Sequence, residues 1–223
     1  MRSLHIVPVL WILCISLLNA QDFDIGLCES RGFDWRHNQH NYLYSGSIQD
    51  EGADWNSARD YCRQRCMDLV SINSEPEWRV IRKHLKQLNV SAIWSSGHLC
   101  TKQVSNRCFT EPDLQPRIVY AWFWAGSGHR IPPTNSTAPG WSYSPWGKYG
   151  SLKEAESRQP DNAEQLSNLG RGEEEACLAL LYSSLESAYV WEDYSCYPKL
   201  QWLCEDSEDL LLEAGINKPI IFG

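Results

Sequence analysis

Cysteine constrains this chain more than any other residue type. Eight cysteines, Cys28, Cys62, Cys66, Cys100, Cys108, Cys177, Cys196 and Cys204, follow a ninth, Cys14, that sits inside an apolar run from Ile6 to Leu18. Arg2 precedes that run and Asn19-Ala20-Gln21 closes it with a small residue. Residues 1–20 therefore read as a secretory signal peptide, too short to be a comfortable membrane span; an uncleaved anchor is the alternative. An even number of cysteines behind such a leader implies a disulfide framework in an oxidising, extracellular compartment, with roughly a hundred possible pairings.

Cleavage removes Arg2 and leaves 19 basic against 28 acidic residues, a formal charge of −9. That balance excludes the basic stripe expected of a nucleic-acid binder. It suits a cation site or a secreted protein. No later apolar run approaches spanning length, so no membrane span is expected in the mature chain. About 200 mature residues suffice for one sizeable core, and ten tryptophans supply much of its apolar area.

In chain order, residues 21–41 form a polar and aromatic N-terminal extension that Cys28 ties to the domain. His37-Asn38-Gln39-His40 carries two histidines three apart without further ligands nearby, the pattern of a solvated turn rather than a metal site. Tyr42-Leu43-Tyr44 alternates as a first strand. Asp54 to Arg65 reads as a helix with Trp55, Ala58, Tyr61 and Cys62 on one face, and Met67 to Ile72 as a short strand. Ser74-Glu75-Pro76-Glu77 is a capping box with proline in the first turn. The helix that follows carries Trp78, Ile81, Leu85 and Leu88 on one stripe. Ala92 to Gly97 and Ala121 to Gly126 are strands, separated by a long segment that Cys100 and Cys108 staple. Ser127 to Arg158 is a long loop with Trp141, Tyr143 and Trp146, and long ordered loops tend to be functional. Asn89-Val90-Ser91 and Asn135-Ser136-Thr137 are glycosylation sequons. The tail, 207–223, packs as a short helix or serves as a partner-binding segment.

Between Gln159 and Glu205, oxygen-bearing side chains recur beside cysteines: Gln159-Pro160-Asp161-Asn162, Glu173-Glu174-Glu175-Ala176-Cys177, Trp191-Glu192-Asp193, Cys196 and Trp202-Leu203-Cys204-Glu205. Hard cations such as Ca²⁺ take about six to eight oxygen ligands, several of them carboxylates. Gln159, Asp161, Glu175, Glu192 and Asp193 could supply them.

These residues, with Cys62 in an early helix, resemble the signature of C-type lectin-like domains. The resemblance covers roughly residues 42–206, and several features in the right order carry more weight than any one tripeptide. It implies an α+β fold in which two helices flank antiparallel sheets with a long loop region, and the bridges Cys62–Cys204 and Cys177–Cys196. Cys100 with Cys108 would then be a local loop pair and Cys28 with Cys66 the remainder, though the sequence leaves those pairings open. It also implies a Ca²⁺ ion held by Gln159, Asp161, Glu175, Glu192 and Asp193, the same residues binding vicinal sugar hydroxyls. A cis Pro160 peptide belongs to that picture, and Gln-Pro-Asp is the family's galactose-type order. Three features depart from the pattern. Glu192 stands where the family has Asn, and an ionised carboxylate donates no hydrogen bond. Residues 162–174 contain no aromatic to stack on a sugar, and the spacers on either side of Gln159-Pro160-Asp161 are long.

Two functions compete. The first is a secreted, Ca²⁺-dependent carbohydrate-binding protein with a carbohydrate or glycoprotein ligand. The second is a module of the same fold that binds a protein partner without Ca²⁺ or sugar, its loop aromatics acting as anchors. An enzyme is not expected. A glycosidase needs two carboxylates in distinct environments, and nothing in the sequence separates an acid from a base.

Overall fold

A computed structural model describes residues 23–49, 51–149, 158–163 and 174–216. The leader, residues 164–173 and the last seven residues of the tail lie outside the described residues. Helix α1 (Ile25–Glu29) is capped by Asp24 and leads into the hairpin of β1 (Trp35–His37) and β2 (His40–Tyr44). The two histidines flank its turn as a cross-strand pair, and Asn38 and Gln39 both take positive φ there. Two consecutive residues of that kind make the tight turn that matches strand twist. β2 begins two residues ahead of the expected Tyr42.

Helix α2 (Trp55–Arg63) starts where Asp54 accepts the Ser57 N–H at 3.0 Å. β3 (Met67–Leu69) is shorter than expected, because the Ser71 N–H donates to the Glu205 carboxylate rather than to a strand. Helix α3 (Glu75–Gln87) is capped by Ser74. Its stripe holds at Trp78, Ile81 and Leu85 but not at Leu88, which caps the C-terminus and is 45% exposed. The remaining strands are β4 (Ala92–Leu99), β5 (Trp122–Trp124), β6 (Cys177–Ser183), β7 (Ala188–Tyr194) and β8 (Gln201–Asp206).

The sheet runs β1-β2-β8-β4-β6-β7, with β3 paired to β8 and β5 to β4. Only the β4–β8 pairing is parallel among these. Side chains alternate across a strand, so β4 sends Ile93 to one core and Trp94 to the other. The Ile93 core receives α3 through Trp78, Ile81 and Leu85, and the Trp94 core receives α2 through Trp55, Ala58 and Cys62. A third cluster joins Phe23 and the Cys28–Cys66 bridge to Leu210 and Leu211 of the helix Glu208–Glu213. The start of the tail therefore packs.

All four bridges form: Cys28–Cys66, Cys62–Cys204, Cys100–Cys108 and Cys177–Cys196. Helices on both faces, the sheet order and the bridges make the fold C-type lectin-like. The loop aromatics correct one expectation. Trp146 is buried edge-on against Trp122 and Trp191, and Trp141 packs on Trp191. Burying such large apolar faces is more favourable than displaying them, so Trp146 is core and Trp141 is half-buried against it, and neither is an exposed anchor.

Candidate functional site

Three segments converge at one end of the sheet. β7 carries Asp193, whose carboxylate is almost fully buried, at 1% exposure. Its Oδ1 accepts the Asp161 N–H at 3.0 Å and its Oδ2 accepts the Asn162 N–H at 2.8 Å. One side chain thus clamps the loop that follows the Gln159–Pro160 peptide, which is cis as the resemblance implies. Asn162, at positive φ, returns the contact by accepting the Glu175 N–H on Oδ1 at 2.9 Å. That fixes the residue leading into β6.

Carboxylate oxygens of Asp161, Glu175 and Asp193 lie within 4.8 Å of one another. Glu175 is buried and Asp161 half-buried. Asp161 Oδ1 accepts the Ala163 N–H at 3.2 Å, whereas its Oδ2 is buried without a hydrogen-bond partner. Burial raises the Asp193 carboxyl to about 7; the two loop N–H groups pull it down and the Asp161 charge pushes it up. Crowded, desolvated anions are costly, and a cation among them removes the cost. The donor set is all oxygen, which suits Ca²⁺ rather than a soft metal.

Gln159 donates its N–H to the Gly147 carbonyl at 2.9 Å, and both polar atoms of its buried side-chain amide are without hydrogen-bond partners. The long loop reaches this point because Gly147 N–H pairs with Trp191 O on β7. Glu192 is buried beside Asp193, but strand alternation turns it to the face shared with Ala179 and Tyr194. The close carboxylate group does not include it. Of the acidic run, Glu174 instead pairs with Arg117, and Glu173 lies outside the described residues. Asn162 has a structural role the sequence reading did not assign. Its place directly after Gln159-Pro160-Asp161 was the available signal.

No family model matches the sequence, and no curated protein matches it. Solved structures do match. The Kupffer cell C-type lectin receptor Clec4f is 18% identical over 81% of this chain and 85% of that one, with a TM-score of 0.49. The SPL-1–GlcNAc complex is 17% identical over 80% and 95%, at 0.47, and human lithostathine 16% over 78% and 88%, at 0.46.

Among the described residues, no helix is long and apolar enough to cross a membrane. The disulfide-rich fold fits an extracellular protein. Both sequon asparagines, Asn89 and Asn135, are exposed.

Proposed function

We propose that this is a secreted, Ca²⁺-dependent carbohydrate-binding protein whose ion is held by Asp161, Glu175 and Asp193, with the Gln159 amide beside them. The observation that carries this reading is the buried Asp161 Oδ2 without a hydrogen-bond partner, in a group whose other carboxylates are buried as well. A folded protein rarely leaves such an oxygen unpaired without a ligand to take it. Three carboxylates fall short of the coordination Ca²⁺ requires, and water and ligand hydroxyls complete it. Those hydroxyls are the means by which the ion would hold a sugar. The Gln-Pro-Asp order favours galactose-type ligands, and the two exposed sequons support N-glycosylation of the secreted chain.

A glycan array probed with the mature protein, with and without a chelator, tests this. Retention on galactose-terminated glycans that the chelator abolishes supports the reading. Chelator-insensitive binding to a protein ligand, with no glycan retained, supports the alternative module.

A further inference from the structure

A cavity of about 780 Å³ opens beside the N-terminus of α2 and the Cys100–Val104 turn. Its walls include Trp55, His98, Val104 and Tyr197, together with the half-cystines Cys100 and Cys196. Of the eight bridged cysteines, these two are partly exposed and the other six are buried. The cavity therefore gives solutes a route to one half-cystine of each of two different bridges.

One of the two has a partner suited to sulfur chemistry. A ring nitrogen of His98 and the sulfurs of Cys177 and Cys196 lie within 4.8 Å of one another. With both sulfurs in a bridge, the trio is no metal site. His98 Nδ1 lies 2.6 Å from the Leu99 carbonyl oxygen, which can only accept. Nδ1 therefore carries the proton and Nε2 the lone pair. Burial holds this imidazole below its ordinary value, and Trp55 packs on it with ring centres 4.9 Å apart.

We propose that Cys177–Cys196 is a thiol-exchange site, opened by a small thiol that enters the cavity and attacks the Cys196 sulfur. Attack falls on Cys196 because it lines the cavity whereas Cys177 is fully buried. The Cys177–Cys196 S–S bond breaks as the mixed disulfide at Cys196 forms, and Cys177 leaves as a thiolate. The proton of the incoming thiol passes to His98 and on to Cys177, so charge balances. A second thiol then attacks the mixed disulfide, releasing Cys196 as a thiol and the two small thiols as their own disulfide. The overall change is a two-electron reduction supplied by the small thiol.

The consequence reaches the carboxylate cluster. Cys177 stands two residues after Glu175, and Cys196 three after Asp193. Opening the bridge unties the segments that bring those carboxylates together. This coupling rests on the proposed cation site; the exchange chemistry does not.

The folded protein is treated with limiting glutathione, alkylated, and mapped by peptide mass. The expected map shows glutathione on Cys196 and alkyl label on Cys177, with the other three bridges intact. Earlier opening of Cys100–Cys108, or label on all four bridges together, overturns the proposal. Val104→Trp, at an exposed position on the cavity rim, should slow the opening, and an unchanged rate contradicts access through the cavity. His98→Gln should slow it about tenfold or more if His98 relays the proton, and an unchanged rate removes that role. Ca²⁺ titration of the opened form should give affinity about tenfold weaker than the closed form. Equal affinity overturns the coupling, and no Ca²⁺ binding by either form overturns the cation site while leaving the exchange map standing.

Discussion

Asp193 Oδ1 accepts the backbone N–H of Asp161 at 3.0 Å, so one acidic residue of the cluster positions the next. The contact joins β7 to the cis-proline loop and brings two carboxylates together before any ligand arrives. Proximity of like charges in a buried place is unfavourable for the protein alone. It becomes favourable when a cation is bound.

That tension predicts a pH dependence. The Asp193 carboxyl is raised from 3.8 to about 7 by burial, so the folded, cation-free protein keeps a proton that the unfolded chain has already lost. Its stability should fall as pH rises from about 4 to about 7. Ca²⁺ competes with the same proton, so its affinity should rise across that interval and level off above it. Thermal unfolding against pH, with and without Ca²⁺, checks both signs. A cation-free protein that gains stability over this window from Asp193, as judged against Asp193→Asn, contradicts them.

Asp161→Asn separates the ion site from the scaffold. The substituted side chain keeps an oxygen for the Ala163 N–H, which Asp161 Oδ1 now accepts at 3.2 Å, but loses the charge and one ligand oxygen. Ca²⁺ affinity should drop by about tenfold or more, with the melting temperature of the cation-free protein not lowered. Calorimetric titration reads the first and a thermal melt the second.

Glu75 anchors the long loop. Its carboxylate accepts from the Ser142 hydroxyl and backbone N–H and pairs with Arg79, and these contacts hold its pKa at about 2. A depressed carboxylate contributes stability above its ordinary value of 4.5, which is lost as pH falls toward 2. Glu75→Gln should therefore speed hydrogen exchange at the Ser142 amide at neutral pH, and acidification should do the same in the unmodified protein. Unchanged protection would show that the loop is held elsewhere.

Gly97→Ala probes the fit between β4 and β6. A Cβ at Gly97 would lie 2.6 Å from the Leu178 Cβ, too close for either strand to accept without moving. Destabilisation of about 1–3 kcal/mol is expected, read from the denaturation midpoint.

Much of the fold was legible because its signals are local or covalent. Ser74 caps a helix where the sequence placed it, the helix expected from Asp54 starts at Trp55 with Asp54 as its cap, and the apolar spacing of Trp78, Ile81 and Leu85 gave the buried face of α3. The bridges Cys62–Cys204 and Cys177–Cys196 follow the resemblance. What escaped depends on contacts between distant segments. Leu88 continues the apolar stripe, yet the helix ends there and leaves it exposed. Trp141 and Trp146 looked displayable in a loop rich in Gly and Pro, but Trp191 of β7 gathers them in. At the site, adjacent Glu192 and Asp193 read as equivalent ligands; the pleat of β7 turns neighbours to opposite faces, and which of the two meets the cis-proline loop is decided by contacts with that distant segment.

Direct titration of the EDTA-stripped mature protein with CaCl₂, followed by calorimetry, tests the central claim. Ca²⁺ should bind at the Asp161–Glu175–Asp193 cluster, with heat that disappears in Asp161→Asn and a melting temperature that rises with Ca²⁺ concentration. No heat and no thermal shift in the unmodified protein at neutral pH, or undiminished binding by Asp161→Asn, would contradict it.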